Sequence, residues 1–195
     1  MKFAKMLTVV PAVLLALMGL ASTASATTLE VNGVAQAKSV TLSASLKAGI
    51  STMLTDTFGS LPPLNTCGVS AIQMTTSVVT GSTVSGPVKI GPTFESCTEG
   101  NAVVDTLGTF TIERIAGTTN GTLRSIGTKV TWSSSIGPLT CITSSTTGTD
   151  LGLLTGVASG NATLDINAVL SCGPVDTKWQ GTYTVTSPTG LGVTS

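Results

Sequence analysis

The chain has 195 residues, nine Lys/Arg against nine Asp/Glu, and no histidine. So few charges exclude the basic footprint of a nucleic-acid binder and the high net charge of a disordered chain. The missing histidine removes the commonest general base and metal ligand, and with it every Ser-His-Asp or Cys-His arrangement.

Lys2 and Lys5 precede an apolar run from Met6 to Ala21, and Ala24-Ser25-Ala26 follows as a small-x-small cleavage site. This is the layout of a secretory signal. The run is interrupted by Pro11 and Gly19 and falls short of the roughly 20 apolar residues of a spanning helix. Residues 1–26 are therefore expected to be removed. Residues 27–195 are expected to remain as a single β domain with no transmembrane span, secreted or held in the cell envelope. Without Lys2 and Lys5, seven Lys/Arg face nine Asp/Glu, a net charge of −2.

Val40, Leu42, Ala44 and Leu46 alternate with Thr41, Ser43, Ser45 and Lys47, the period of a half-buried strand. Residues 44–56 could also be written as an amphipathic helix, but Gly49, Ile50, Thr52 and Thr55 favour a strand and a turn. Pro62-Pro63 ends whatever precedes it. The segment Phe94-Glu-Ser-Cys-Thr-Glu-Gly100 is expected to be a loop. Phe110 and Ile112 alternate with Thr109, Thr111 and Glu113, and Val130 and Trp132 with Lys129, Thr131 and Ser133. The stretch 142–153, rich in Ser, Thr and Gly, is expected to be a loop. Ala162, Leu164, Ile166, Ala168 and Leu170 then share one face opposite Thr163, Asp165 and Asn167. Beyond Gly173-Pro174, Trp179, Gly181, Tyr183 and Val185 alternate with polar neighbours. Residues 161–171 and 177–187 are thus expected to be two long antiparallel strands.

One-sided alternation belongs to antiparallel sheets with one face solvated. The expected fold class is all-β, an antiparallel sandwich or a partly closed barrel, stapled by disulfides. An outer-membrane barrel needs two aromatic girdles, and Phe58, Phe94, Phe110, Trp132, Trp179 and Tyr183 are too few for them.

Cys67, Cys97, Cys141 and Cys172 all follow the signal and so mature where disulfides persist. Three pairings are open. Matching separations, and a faint echo in which Ser-Gly follows Cys67 and Cys141 at similar distances, favour Cys67–Cys97 with Cys141–Cys172. The echo also raises the possibility of an internal duplication. Zinc would want Cys-x-x-Cys or histidine spacing, which is absent from the sequence.

No catalytic, cofactor-binding or metal site is expected. Glu95, Glu99 and Asp105 are the carboxylates nearest one another in sequence, and solvation is their expected state, ahead of hydrolysis or calcium binding. Trp132, or Trp179 with Tyr183, could present a sugar platform, but their alternation with Val130, Gly181 and Val185 reads as core.

The segments Asn161-Ala-Thr-Leu-Asp-Ile-Asn-Ala-Val-Leu-Ser-Cys172 and Trp179-Gln-Gly-Thr-Tyr-Thr-Val-Thr-Ser-Pro-Thr-Gly-Leu-Gly-Val193 resemble the ends of a group of uncharacterised secreted bacterial proteins. The resemblance implies a small β-domain of the cell exterior and carries no activity.

Three functions are expected in this order. The first is a non-enzymatic exported module acting by protein or surface contacts, with self-association or a cell-surface partner engaged through edge strands. The second is a small-ligand or carbohydrate carrier, and the third a hydrolase built on carboxylates alone. An enclosed apolar pocket would favour the second over the first.

Overall fold

The computed structural model describes residues 26–57, 62–173 and 175–195. The expected signal segment, except for Ala26, lies outside them. Strands β1 (Thr27–Val31) and β2 (Val34–Ala35) come first, then β3 (Thr41–Leu46), β4 (Thr52–Asp56), β5 (Asn65–Val69), β6 (Ala71–Thr75) and β7 (Thr80–Gly81). The middle of the chain forms β8 (Val84–Ile90), β9 (Glu95–Cys97), β10 (Val103–Thr106), β11 (Thr109–Arg114), β12 (Gly121–Ile126) and β13 (Lys129–Trp132). Next are β14 (Leu139–Ile142), β15 (Thr149–Thr155), β16 (Thr163–Cys172), β17 (Val175–Ser187) and β18 (Leu191–Thr194).

Strands β3, β6, β8, β11, β12, β15, β16 and β17 pair antiparallel in that order, and β17 returns to β3. The result is a closed eight-stranded barrel, so of the two expected architectures the ladder realises the barrel. The remaining strands prolong these staves. β3 leads into β4, and both lie along β17. In the same way β5 leads into β6, β8 into β9, β10 into β11, β12 into β13, and β14 into β15. The chain therefore runs up and down through eight bent staves, each beside its sequence neighbours.

Alternation along each stave decides which side faces in. In β16, Leu164, Ile166, Ala168 and Leu170 are buried while Asp165, Asn167 and Val169 are exposed. Opposite them, Trp179, Tyr183 and Val185 of β17 also point into the core. Each large apolar side chain so buried contributes about 1.5–3 kcal/mol. Asp165 faces outward and accepts a hydrogen bond from Thr182 Oγ1 at 2.9 Å. This polarity is the reverse of a lipid-facing barrel, whose apolar band points outward. No helix among the described residues is long and apolar enough to cross a membrane.

One end of the barrel is covered by a small sheet in which β1 pairs with β18, β2 and β7. Leu29, Leu191 and Val193 of this sheet are fully buried. The other end carries both cystines. Cys67–Cys97 joins directly opposed residues of β5 and β9, and Cys141–Cys172 joins β14 to β16. Both bonds match the favoured pairing, and they suggest an oxidising, non-cytoplasmic environment.

Two local expectations change. The loop expected over 142–153 is a turn, after which β15 begins at Thr149 and pairs with β12 and β16. Leu151 and Leu154 anchor it in the core, two apolar positions hidden in a Ser/Thr/Gly-rich stretch. Within the loop expected over 94–100, Glu95–Cys97 forms β9. Each cystine closes two successive staves, β5–β6 with β8–β9 in one case and β14–β15 with β16 in the other.

Candidate functional site

Around the barrel the pairing lapses between β9 and β10, and β14 meets β16 only at the single pair Ile142–Ser171. The ladder between β8 and β11 runs from Val84–Ile112 to Pro87–Thr109 and ends with Val88 N–H donating to Gly108 O at 3.2 Å. Beyond that point β9 follows β5, β10 follows β13, and among the described residues no ladder joins β9 to β10.

The sequence dictates this parting. Pro92 has no N–H to give a ladder, and Thr93 N–H turns to Ala71 O at 2.8 Å. Gly91 precedes it with φ +77°, and a Cβ there would lie 2.4 Å from Ala71 O. On the facing lip Gly108 has φ +67°, where a Cβ would meet Ile126 O at 2.4 Å. Only glycine reaches these left-handed conformations without steric cost, and each lets its stave bend away from the other.

The gap is a cleft of about 370 Å³, with Gly91 to Glu95 on one side and Asn101 to Val104 on the other. Ile90 and Val103 stand exposed beside it. Pro92 and Phe94 are buried at its floor, and both also line an internal cavity of about 40 Å³. That cavity is bounded by Phe110, Val130, Trp132, Leu170 and Trp179 among others. A neighbouring void of about 10 Å³ reaches Tyr183 and shares Pro92 and Trp179. The cavity exceeds the roughly 10–15 Å³ needed for one water and falls well below the 150 Å³ of an engineered cavity that takes benzene. Joined to the cleft, it would reach the range of small-molecule pockets, roughly 300–1,000 Å³.

The interior is aromatic. Phe94 packs on Trp132 with ring centroids 4.1 Å apart and meets Trp179 at 5.6 Å, edge on, while Trp179 meets Tyr183 at 6.4 Å. Trp132, Trp179 and Tyr183 are all core residues, so none offers a flat external platform for a sugar. Their polar atoms differ. Trp179 Nε1 donates to Thr52 Oγ1 at 2.8 Å, and Tyr183 Oη shares a 2.9 Å hydrogen bond with Ser70 Oγ. Burial pushes the Tyr183 phenol above its usual range, against the opposing hydrogen bonds of Ser70, Thr52 and Trp179. Trp132 Nε1 is buried with no partner among the described residues. The cavity hydroxyls are occupied: Ser125 and Thr128 share a 2.7 Å hydrogen bond, Thr128 Oγ1 reaches Leu107 O at 2.8 Å, and Thr143 Oγ1 accepts from Thr128 N–H at 2.8 Å.

The lips are held from outside the gap. Asn65, fully buried at the start of β5, donates through Nδ2 to Gly100 O at 2.9 Å and to Ser133 O at 2.8 Å. Its Oδ1 accepts from Thr98 Oγ1 and Glu99 N–H, both at 3.2 Å. Glu95 lines the cleft, Glu99 is exposed, and Asp105 accepts from Thr131 Oγ1 at 2.8 Å with Lys129 Nζ at 4.0 Å. No group of three or more His, Cys, Asp or Glu among the described residues could hold a metal ion. A broader outer depression of about 890 Å³ includes Lys129, Ser144, Ser171 and Asp176. It has no aromatic surface, and of its lining residues Thr143 alone also lines the internal cavity.

Sequence reading assigns Trp132, Trp179 and the four cysteines to their places, but misses Phe94 and Pro92 as the partition. The available signal was Gly91-Pro92, a ladder-breaking pair at the end of an alternating run. Comparison with known proteins finds no match among family models, curated proteins or solved structures. The fold and site define the class: a closed up-and-down barrel with an apolar, aromatic interior and a lateral gap between β9 and β10.

Proposed function

We propose that this is an exported, non-catalytic barrel that binds a small apolar molecule, admitted through the gap between β9 and β10. One observation carries the reading: Pro92 and Phe94 alone line both the cleft and the apolar cavity behind it. Rotation or displacement of Phe94 joins the two spaces. Cleavage after Ala26 fits the same reading, because β1 begins at Thr27 and every strand among the described residues lies beyond that cut. No cofactor, nucleic acid or metal is required.

The test is binding of N-phenyl-1-naphthylamine, a neutral probe whose emission rises in apolar surroundings. Phe94→Leu shortens the partition and should tighten binding. Ala102→Phe fills the open cleft and should weaken binding about tenfold. Unchanged affinity in both variants, with circular dichroism preserved, refutes the reading, as does failure of the wild type to bind.

A second reading, self-association through the same edges, is supported by the gap-facing edges of β9 and β10, which have no ladder among the described residues, and by exposed Ile90 and Val103 beside them. Edges this short, carrying Glu95 and Asp105, are of the kind that resists strand addition. Light scattering after size exclusion should then show a monomer, and a concentration-dependent dimer abolished by Val103→Lys would favour the contact reading instead.

A further inference from the structure

We infer that the molecule taken into the barrel carries an uncharged hydrogen-bond acceptor, such as a carbonyl or ether oxygen, which pairs with the indole N–H of Trp132. This rests on the lumen being a binding site and goes beyond it by naming the ligand's chemistry. Buried polar groups in folded proteins nearly always find a partner, and an exception needs an explanation. The same core provides one for Trp179, from Thr52, and for Tyr183, from Ser70. Trp132 is equally buried, lines the cavity and has none among the described residues.

The remaining lining narrows the class. It is almost wholly apolar, and the hydroxyls of Ser125, Thr128 and Thr143 already bond to one another or to backbone. No Lys, Arg, Asp or Glu lines the cavity. An ionised ligand would lose its hydration there without compensation. A pure hydrocarbon would fill the space but leave the indole unpaired. A neutral, largely apolar molecule with one acceptor satisfies both conditions. Phe94, packed against Trp132 with centroids 4.1 Å apart and ring planes tilted by 45°, stands between the cleft and that indole, so the ligand that displaces Phe94 meets Trp132 next.

Acetophenone and α-methylstyrene form a suitable pair, equal in shape and differing by C=O against C=CH₂. Each is titrated into the disulfide-bonded protein, with affinity read by displacement of N-phenyl-1-naphthylamine and the two tryptophan indole N–H signals followed by ¹H–¹⁵N NMR. Trp179's signal is identified through its contact with Thr52. The expected result is a preference for acetophenone of about five- to tenfold, the scale of one neutral hydrogen bond. Acetophenone should also move the Trp132 indole proton downfield. In Trp132→Phe the preference should vanish while α-methylstyrene binds as before. The NMR shift in the wild type stands independently if that variant fails to fold. Equal affinities with an unmoved Trp132 signal overturn the inference but leave the lumen reading intact; a lone buried water as the indole's partner would give this outcome. Failure of both compounds to bind overturns the lumen reading itself, and the inference with it.

Discussion

Asn65 allows a sharp test of how the gap is held, because a single atom exchange reverses half of its hydrogen bonding. Replacing it with Ala removes two donor contacts, to Gly100 O and Ser133 O, and two acceptor contacts, from Thr98 and Glu99. Four neutral hydrogen bonds at about 0.5–1.5 kcal/mol each would sum to several kcal/mol. Thr98, Glu99 and Gly100 are exposed, however, and water replaces much of what they lose. Asn65→Ala should therefore cost about 2–3 kcal/mol. Asn65→Asp keeps the shape but turns an oxygen toward two carbonyls and buries a charge with Glu99 nearby. At about pH 7 it should cost about 3–5 kcal/mol, more than the Ala variant. Burial and the facing carbonyls raise the folded-state pKa of the introduced carboxyl above its unfolded value. Its stability is then fully present below the unfolded pKa of about 3.9 and lost as pH rises through the folded pKa. Urea unfolding followed by tryptophan fluorescence at about pH 4 and about pH 7, cystines intact, measures both effects. The deficit of the Asp variant should shrink at the lower pH, where the protonated acid regains a donor. An Asp variant within about 0.5 kcal/mol of the wild type at pH 7 would refute the assignment of the Asn65 amide as a buried donor.

The other predictions concern the barrel wall and core. Leu164→Ala should cost about 2–5 kcal/mol, whereas Asp165→Asn should change stability by no more than about 0.5 kcal/mol; the reverse order in denaturation midpoints would mean that the faces of β16 are swapped. Tyr183 is the only tyrosine, so tyrosinate absorbance reports it alone. Its folded pKa is raised by burial, so the stability it contributes is complete below the unfolded value of about 10 and is lost as pH rises through the folded value. Absorbance should stay flat through pH 10 and rise with unfolding, and an ordinary titration in folded protein would contradict its burial. Non-reducing peptide mapping should recover Cys67 with Cys97 and Cys141 with Cys172, and opening either loop should cost about 3–4 kcal/mol on the chain-entropy model.

Much of the wall was legible because period-two alternation is a local signal. Ala162 to Leu170 could form a strand with only one face buried, and the register Leu164–Tyr183 and Ala168–Trp179 follows from matching that face to the one after Gly173. Closure was not legible in the same way. A sandwich and a barrel both place alternate residues inside, and the choice rests on Leu46 meeting Tyr183 and Ala44 meeting Val185, contacts between distant parts of the chain. β15 escaped notice because Leu151, Leu153 and Leu154 do not alternate cleanly and Ser, Thr and Gly surround them. Phe94 escaped for a related reason: beside Glu95, Ser96 and Cys97 it is a lone aromatic in polar sequence. Its burial depends on Trp132 and Trp179, which reach it only when the staves have closed.

The gap can persist in a closed barrel because each lip is tied to its outer neighbour and not to the other lip. On one side Cys67–Cys97 fixes β9 to β5, and Thr93 N–H is bonded to Ala71 O. On the other, β10 is laddered to β13, and Asp105 takes the Thr131 hydroxyl. Asn65 then holds the 98–102 connection and the end of β13 from the β5 side, closing the rim above the opening. Widening the gap therefore requires no broken ladder and no reduced cystine. It requires movement at Gly91 and Gly108, the two lip positions whose backbone is already left-handed, and displacement of Phe94 from Trp132. Those contacts are apolar and recoverable by a ligand of similar character, so the proposed admission of an apolar guest would leave the eight-stranded ring beneath it closed.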